Sequence, residues 1–258
     1  LESGIISAVG KDPAGKGILE ILHQQGIKSF VSSTDKPTGR VSVELKGDGV
    51  PAYIIHEEVA WDYIKPSAEA LDFSRKADAV CFGTLGQRSE TSRSSIRKVL
   101  QSAPDHALII FDINLRQAFY SKPVIEESLQ QANILKINEE EIRLFAEMFN
   151  ISGDEFEIMN RIRERFGLRY LALTRGPDGS WLIGDNEKSF LDTPRVKVVD
   201  TVGAGDSFTA AMTAGFLHGL SLQEVHQFAV DVSAFVCTRE GATPPLPDTL
   251  IRRLQKGN

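Results

Sequence analysis

Val198-Val199-Asp200-Thr201-Val202-Gly203-Ala204-Gly205-Asp206-Ser207-Phe208 runs from a β-branched stretch through a Gly-Ala-Gly turn into small residues, Thr209-Ala210-Ala211-Met212-Thr213-Ala214-Gly215-Phe216. The pattern predicts a strand over 196–199 and a helix from 207. A helix entered through such a turn leaves its first backbone N–H groups unpaired, with the positive end of the dipole behind them. That is an anion-binding cup. Glycines at 203 and 205 let the backbone approach a ligand with no Cβ in the way. Asp206 places a carboxylate beside the cup, where a plain phosphate binder avoids negative charge. An acid next to an anion hole suits a base that takes a hydroxyl proton while the hole holds the phosphoryl group under attack.

Outward from this stretch, strands alternate with helices. Residues 5–9 read as a strand and 14–25 as an amphipathic helix ending at Gly26. Residues 40–45 and 52–56 form a hairpin-like pair around Lys46-Gly47-Asp48-Gly49, whose Gly and Asp suit a tight turn. Trp61-Asp62-Tyr63-Ile64 leads to a helix. Strands then follow at 79–82, 107–111, 134–136 and 170–173, with helices at 91–102, 124–130 and 139–148 and a second hairpin at 180–190. Short apolar strands separated by helices predict an α/β fold, a mostly parallel central sheet covered by helices on both faces. No internal repeat or low-complexity linker breaks the chain, so residues 1–258 read as a single domain.

Composition narrows the function. Hydrophobic residues make up 41% and charged residues 25% of 258, the values of a soluble globular protein. A net charge of -6 without a basic stripe argues against nucleic acid as a partner. No apolar run approaches a membrane span and no signal peptide opens the chain. Cys81 and Cys237 give no disulfide framework or metal spacing, which points to a reducing cytoplasm. The five histidines show no H-x-x-x-H pairing, and His218 and His226, flanking a turn, read as surface residues.

A second phosphate-like motif competes with the first. Gly10-Lys11-Asp12-Pro13-Ala14-Gly15-Lys16 spells G-x-x-x-x-G-K after a strand and before a helix, and Leu108 to Asp112 resembles a Walker B strand. A P-loop needs Ser or Thr next, because that hydroxyl ligates Mg²⁺. Gly17 stands there instead, and Asp12-Pro13 would stiffen the loop and set an acid beside the phosphates. The segment reads as structural. A nicotinamide-binding Rossmann fold fares no better, since no G-x-G-x-x-G follows an early strand.

The remaining polar candidates each have two readings. Asp112, Asn114 and Arg116 lie just past a strand's C-terminal end, where α/β sheets present ligand-binding residues, and alternate spacing points them the same way. Arg116 suits a phosphate or substrate oxygen, or a surface salt bridge. Asn138 and Glu141 lie three apart at a helix start and project to one side, although Glu139-Glu140-Glu141 also complements the helix dipole. Lys136 is a phosphate contact or a solvated strand end. Thr174 and Gly176 to Gly179 form a turn able to hold nucleotide phosphates, or one that merely opens a hairpin. Ala229, Ala234 and Cys237 fit the wall of an adenine slot or the packed face of a buried helix.

Together these segments resemble the PfkB (ribokinase-like) family of carbohydrate kinases. Asp200 to Phe208 is similar to the family's C-terminal signature, and Asp112-Ile113-Asn114-Leu115-Arg116 to its D-x-N-x-R segment. Lys136-Ile137-Asn138-Glu139-Glu140-Glu141 carries its N-x-x-E. Thr174-Arg175-Gly176-Pro177-Asp178-Gly179 resembles its nucleotide-phosphate turn, and Gly241-Ala242-Thr243-Pro244 its closing loop. The resemblance covers nearly the whole chain, in order. It implies a ribokinase-like fold with a small β lid, the lid strands at about 38–57, that can pair across a homodimer.

The resemblance also implies roles. Asp206 is the base for a sugar hydroxyl, and Gly203, Ala204, Gly205 and Asp206 turn their N–H groups to the transferring phosphoryl oxygens. Asp112, Asn114 and Arg116 face the sugar substrate. Asn138 and Glu141 orient Mg²⁺, and Thr174, Arg175, Gly176, Pro177, Asp178, Gly179 and Cys237 surround ATP. Backbone carbonyls around Asp200, Val202 and Gly241 resemble the family's site for a monovalent cation such as K⁺.

Residues 112–120 followed by 134–141 look most like the fructokinase branch, so fructose to fructose 6-phosphate is the expected reaction. Ribose and 2-keto-3-deoxygluconate are its rivals, and a catalytically silent sensing module is the alternative from another class. The chain opens at Leu1 with no G-G-x-x-N segment, so a first strand carrying part of the sugar site is expected to lie outside this sequence.

Overall fold

The computed structural model describes the backbone of residues 1–45 and 51–257 and the side chains of 1–42 and 54–254. Two compact units emerge, Leu1–Ala77 with Leu85–Asp105, and Asp78–Thr84 with His106–Asn258.

In the first unit, β1 (Gly4–Gly10) pairs in parallel with β2 (Lys28–Thr34) across the crossover helix α1 (Pro13–Gln24). β3 (Val41–Leu45) and β4 (Pro51–Ile55) form an antiparallel pair in the register Val41↔Ile55, as the sequence pattern predicts. The turn expected at Lys46 to Gly49 lies outside the described residues. A short 3₁₀ turn (Ala60–Tyr63), α2 (Ala68–Ser74), a second 3₁₀ turn (Leu85–Gln87) and α3 (Glu90–Ser102) complete the unit.

The P-loop look-alike is settled here. Asp12 caps α1, with Oδ1 accepting from Gly15 N–H (2.8 Å) and the Thr38 hydroxyl (2.7 Å), and Oδ2 from Thr38 N–H (2.8 Å). These bonds, those to Thr38 and Gly15 N–H foremost, hold its carboxyl down at about 2. The helix end a phosphate would need is filled by the chain's own carboxylate. A Cβ at Gly15 would stand 2.2 Å from the Gly10 carbonyl oxygen, so the glycines serve close packing.

The second unit is a six-stranded sheet in the order β10-β9-β8-β7-β6-β5. β5 (Ala79–Phe82), β6 (Leu108–Asp112), β7 (Ile134–Asn138) and β8 (Tyr170–Thr174) are parallel, while β9 (Ser180–Ile183) and β10 (Lys188–Leu191) close the edge as an antiparallel hairpin. β6 to β8 are almost wholly buried apolar runs, as central strands covered on both sides must be. On one face Leu108, Ile110, Ile134 and Ala172 pack against Phe208, Met212, Val225 and Phe228 of α7 (Ala204–Leu217) and α8 (Leu222–Cys237). α4 (Lys122–Gln131), α5 (Glu139–Phe149) and α6 (Glu155–Phe166) follow β6 and β7 and meet the sheet too. There Phe145 and Phe149 stack with ring centroids 4.3 Å apart, and Phe166 meets Phe149 edge-on at 5.6 Å. A short helix α9 (Asp248–Ile251) follows, running into a 3₁₀ turn (Arg252–Gly257).

Several readings of the sequence need correction. Residues 196–199 form no strand. Val196, Val198 and Val199 are exposed, and β-branched residues without a partner strand have nothing to pair with. α7 begins at Ala204 rather than 207, because Gly203 adopts the left-handed conformation (φ 81°) and the helix can start on the next residue. β2 and α6 were not expected. The box Asp154-x-x-Glu157, in which each side chain accepts from the other's N–H, is the start signal of α6, and Gly167 (φ 64°) is its stop.

His226 is not on the surface. It is fully buried, with Nε2 2.8 Å from the Ser180 hydroxyl and Nδ1 2.8 Å from that of Ser189, tying α8 to the β9–β10 hairpin. Burial pushes it down to about 4, so the folded protein keeps the ring neutral where the unfolded chain takes up a proton below its ordinary 6.5. Stability from this ring is therefore complete above pH 6.5 and lost as pH falls toward 4, by about 3 kcal/mol in all. Denaturant melts between pH 7 and 4.5 should show that slope. His226→Asn should flatten it, and an unchanged slope would remove the assignment.

Candidate active site

The C-terminal ends of three adjacent parallel strands bring the candidate residues together. Asp112 ends β6, Asn138 ends β7 with Lys136 two residues before it, and Thr174 ends β8; the register sets Asp112 opposite Lys136 and Asn138 opposite Thr174. This is the edge where a parallel sheet presents its ligand-binding residues.

The Gly203–Asp206 turn has the properties of an anion cup. α1, α2, α4, α5, α6 and α8 each start with a Ser, Asp or Asn side chain accepting from the third N–H, but α7 starts on Gly203, which has no side chain to offer. Ala204 N–H bonds the Thr201 carbonyl (3.2 Å) and Ser207 N–H that of Gly203 (2.8 Å). The N–H groups of Gly205 and Asp206 between them meet no acceptor among the described residues. Two donors at the positive end of a 14-residue helix are thus free for an anion, with the exposed Asp206 carboxylate alongside.

The loop into the cup is pinned from both ends. Asp200 accepts from Val202 N–H (3.0 Å) through Oδ1 and from Gly241 N–H (3.1 Å) through Oδ2. These two bonds hold its carboxyl below the usual range. The Cys237 carbonyl accepts from Val199 N–H (2.8 Å) and Asp200 N–H (3.3 Å). A Cβ on Gly203 would stand 2.7 Å from the Ala242 carbonyl oxygen, at a φ that disfavours every L side chain. Gly203→Ala should therefore cost at least about 1 kcal/mol of stability and lower turnover, because the cup and the 241–242 loop must part. A variant with unchanged melting and kinetics would show that the contact is slack.

Beneath the cup lies a buried polar cluster. Lys136 and Asp112 are 6% and 7% exposed, and Lys136 Nζ donates to Asp112 Oδ1 at 3.1 Å. The Thr209 hydroxyl is 2.9 Å from Asp112 Oδ2 and 3.1 Å from the Gly205 carbonyl, with one proton to share between them. Burial pushes the Asp112 carboxyl up, and Lys136 and the Thr209 hydroxyl pull it back. Of the two readings of Lys136, the solvated strand end is excluded. Thr209 was not foreseen, though its place one helical turn after Asp206 is the signal that could have found it.

Glu141 and Asn138 form a reciprocal cap: Asn138 Oδ1 accepts from Glu141 N–H and Glu141 Oε2 from Asn138 N–H, both at 2.9 Å. Glu141 Oε1 accepts from Leu115 N–H (2.8 Å), so this buried carboxylate also holds the 113–116 loop. Burial raises its carboxyl, against the two backbone donors.

Alternation does not carry past Asp112. β6 ends there, Ile113 is fully buried, and Asn114 turns left-handed (φ 46°), so Asp112, Asn114 and Arg116 do not share one strand face. Arg116 is exposed, donates to the Leu115 carbonyl (3.0 Å) and meets no carboxylate among the described residues, which removes its salt-bridge reading.

Thr174 leads into a tight 3₁₀ turn, Gly176–Asp178, closed by Arg175 N–H on the Gly179 carbonyl (2.9 Å). Gly176, Pro177 and Asp178 are exposed, and Gly179 (φ 96°) is buried against the Leu191 carbonyl. Ala229 is wholly buried in the core, so packing accounts for it, while Cys237 is half-buried at the C-terminal end of α8.

Known proteins resemble the chain over nearly its whole length. The model of the pfkB family carbohydrate kinases matches residues 1–249. PH1459 of Pyrococcus horikoshii, described as an uncharacterized sugar kinase, is 32% identical over 98% of this chain and 80% of its own length. Its crystal structure with ATP superposes with a TM-score of 0.81 at 29% identity, over 100% of this chain and 85% of that one. Fructokinase-1 of Oryza sativa subsp. japonica is 24% identical over 95% of this chain and 80% of its own length. A ribokinase of Arabidopsis thaliana is 28% identical over 94% and 64%. The chain belongs to the pfkB family of carbohydrate kinases and is an ATP-dependent sugar kinase with the ribokinase-like fold.

Proposed function

We propose that the chain phosphorylates fructose to fructose 6-phosphate. The observation that carries the chemistry is the uncapped start of α7, two free N–H groups with the Asp206 carboxylate beside them. The fructose assignment is supported by residues 112–120 and 134–141, which resemble the fructokinase branch, and by the rice fructokinase among the relatives. Phosphoryl transfer asks the protein mainly for positioning and charge stabilisation. Asp206 takes the proton of the sugar hydroxyl, and the Gly205 and Asp206 N–H groups receive the phosphoryl oxygens. Asn114 and Arg116, on the loop braced by Glu141, face the sugar. The turn from Thr174 through Arg175, Gly176, Pro177 and Asp178 to Gly179, together with Cys237, takes the nucleotide.

Mg²⁺, when bound, neutralises the nucleotide phosphates. The described residues contain no cluster of three or more His, Cys, Asp or Glu able to hold a metal, and the Glu141 and Asn138 oxygens already accept backbone N–H groups. The residues therefore fit an ion that arrives on the nucleotide with its waters, Asn138 and Glu141 meeting those waters. A monovalent cation such as K⁺ would rest on the carbonyls around Asp200, Val202 and Gly241, which the Asp200 bonds hold in place.

Val41 and Ile54 are exposed on the β3–β4 pair, where a second copy would dock. A monomeric mass at working concentration would remove that homodimer. Cytoplasmic residence rests on the two unpaired cysteines. No helix among the described residues is long and apolar enough to cross a membrane.

The test is ADP release from ATP and Mg²⁺ across fructose, ribose, 2-keto-3-deoxygluconate and other sugars. Fructose-dependent turnover supports the assignment, and turnover with another sugar replaces the substrate while leaving the mechanism. ATP binding without turnover on any sugar would make the chain a sensing module.

A further inference from the structure

Lys136 has more hydrogen-bonding capacity than the fold uses. Its ammonium carries three protons, and Asp112 Oδ1 is the one acceptor it meets among the described residues. A buried ammonium with unused donors is costly unless another acceptor arrives.

The geometry shows where that acceptor would be. A Cβ placed on Gly205 would lie 3.1 Å from Lys136 Nζ and 3.9 Å from Cε, so the ammonium stands against the open side of Gly205. Gly205 N–H is one of the two free donors of the cup. Asp112 is itself anchored to α7 through Thr209, so the ammonium is held at the same helix start that offers those N–H groups.

We propose that Lys136 is a catalytic residue whose ammonium contacts the phosphoryl group in transfer from beneath Gly205, with Asp112 and Thr209 as positioning residues. This rests on the kinase reading of the cup. In the step, the bond from the γ-phosphorus to the bridging oxygen breaks and its electron pair leaves with ADP. A bond forms between phosphorus and the sugar oxygen, whose proton passes to Asp206. Lys136 keeps its protons throughout and supplies a point charge to the phosphoryl oxygens. Asp112 balances that charge while the cup is empty.

The test compares the affinity of the protein, with Mg²⁺, for ADP and for ADP with beryllium fluoride, by calorimetry and without any sugar. Removing Lys136 alone strands a buried carboxylate, so the informative variant is Lys136→Met with Asp112→Asn, set beside Asp112→Asn alone. If the Met form does not fold, Lys136→Gln with Asp112→Asn replaces it. Asp112→Asn, which leaves the ammonium in place but loosens the seat that positions it, should lose part of the wild-type gain from beryllium fluoride and clearly less of it than the double variant. The double variant should lose about 10–100-fold of that gain with ADP affinity little changed, the scale of one charge-assisted hydrogen bond. Three results would overturn the proposal: a double variant that keeps the gain, one that loses ADP and analogue affinity equally, or a wild type with no gain. A wild type that phosphorylates no sugar would instead sink the kinase reading, and the nucleotide comparison would still decide the role of Lys136.

Discussion

Asp206→Asn is expected to cut sugar-dependent ADP release by about 10²–10⁴-fold, the usual contribution of a general base, with ATP affinity nearly unchanged. The change removes the proton acceptor and keeps the shape. It also keeps the backbone N–H of residue 206, so the cup retains both free donors, Gly205 N–H and that of 206. The side chain is exposed at the first turn of α7 and is outside the packed core, so melting should be near wild type. The loss should appear in kcat rather than in the KM for ATP, because the missing interaction develops only as the hydroxyl loses its proton. Equal turnover in the variant would move the base elsewhere and reduce Asp206 to a helix-dipole acid.

The difference between what was legible in the sequence and what was not has a physical basis. The parallel strands β5 to β8 are short apolar runs bounded by turns, and local pattern finds them. The uncapped turn at the start of α7 was legible because Gly-Ala-Gly-Asp is a local backbone signal, whereas the pinning of the loop before it by Cys237 and Gly241 was not. Residues 196–199 misled because a β-branched run states a preference, and only a neighbouring strand can satisfy it. His226 misled for the opposite reason: its partners Ser180 and Ser189 lie 46 and 37 residues away, and nothing local signals a buried ring. The cluster under the cup belongs to the same class. Thr209 reaches Asp112 across 97 residues, and Lys136 meets it only through the register of β6 on β7. In each case contacts made within a turn could be read, and contacts made by register and packing could not.

Lys136→Met is expected to destabilise the second unit by about 3–5 kcal/mol, and Asp112→Ala by a similar amount, as breaking a buried pair from one side does. Both side chains are more than nine-tenths buried, so water cannot take over the lost partner. After Lys136→Met, Asp112 keeps the Thr209 hydroxyl on one oxygen and loses, on the other, the only positive partner it has among the described residues. After Asp112→Ala, the ammonium loses the one acceptor it has among the described residues. The double replacement leaves no lone charge, so its cost should fall well short of the sum of the two single costs, with a coupling on the order of 1–3 kcal/mol. Urea melts of the four proteins close this cycle. Additive costs would mean that the two groups do not form a pair in solution, and the charge beneath Gly205 would then have to be held by something else. A strong coupling would show that the fold maintains, at the start of α7, an ion pair that a better-packed apolar pair could replace without loss of stability. Its retention in an ATP-dependent kinase is then an argument from energetics that the site needs the ammonium for the phosphoryl group.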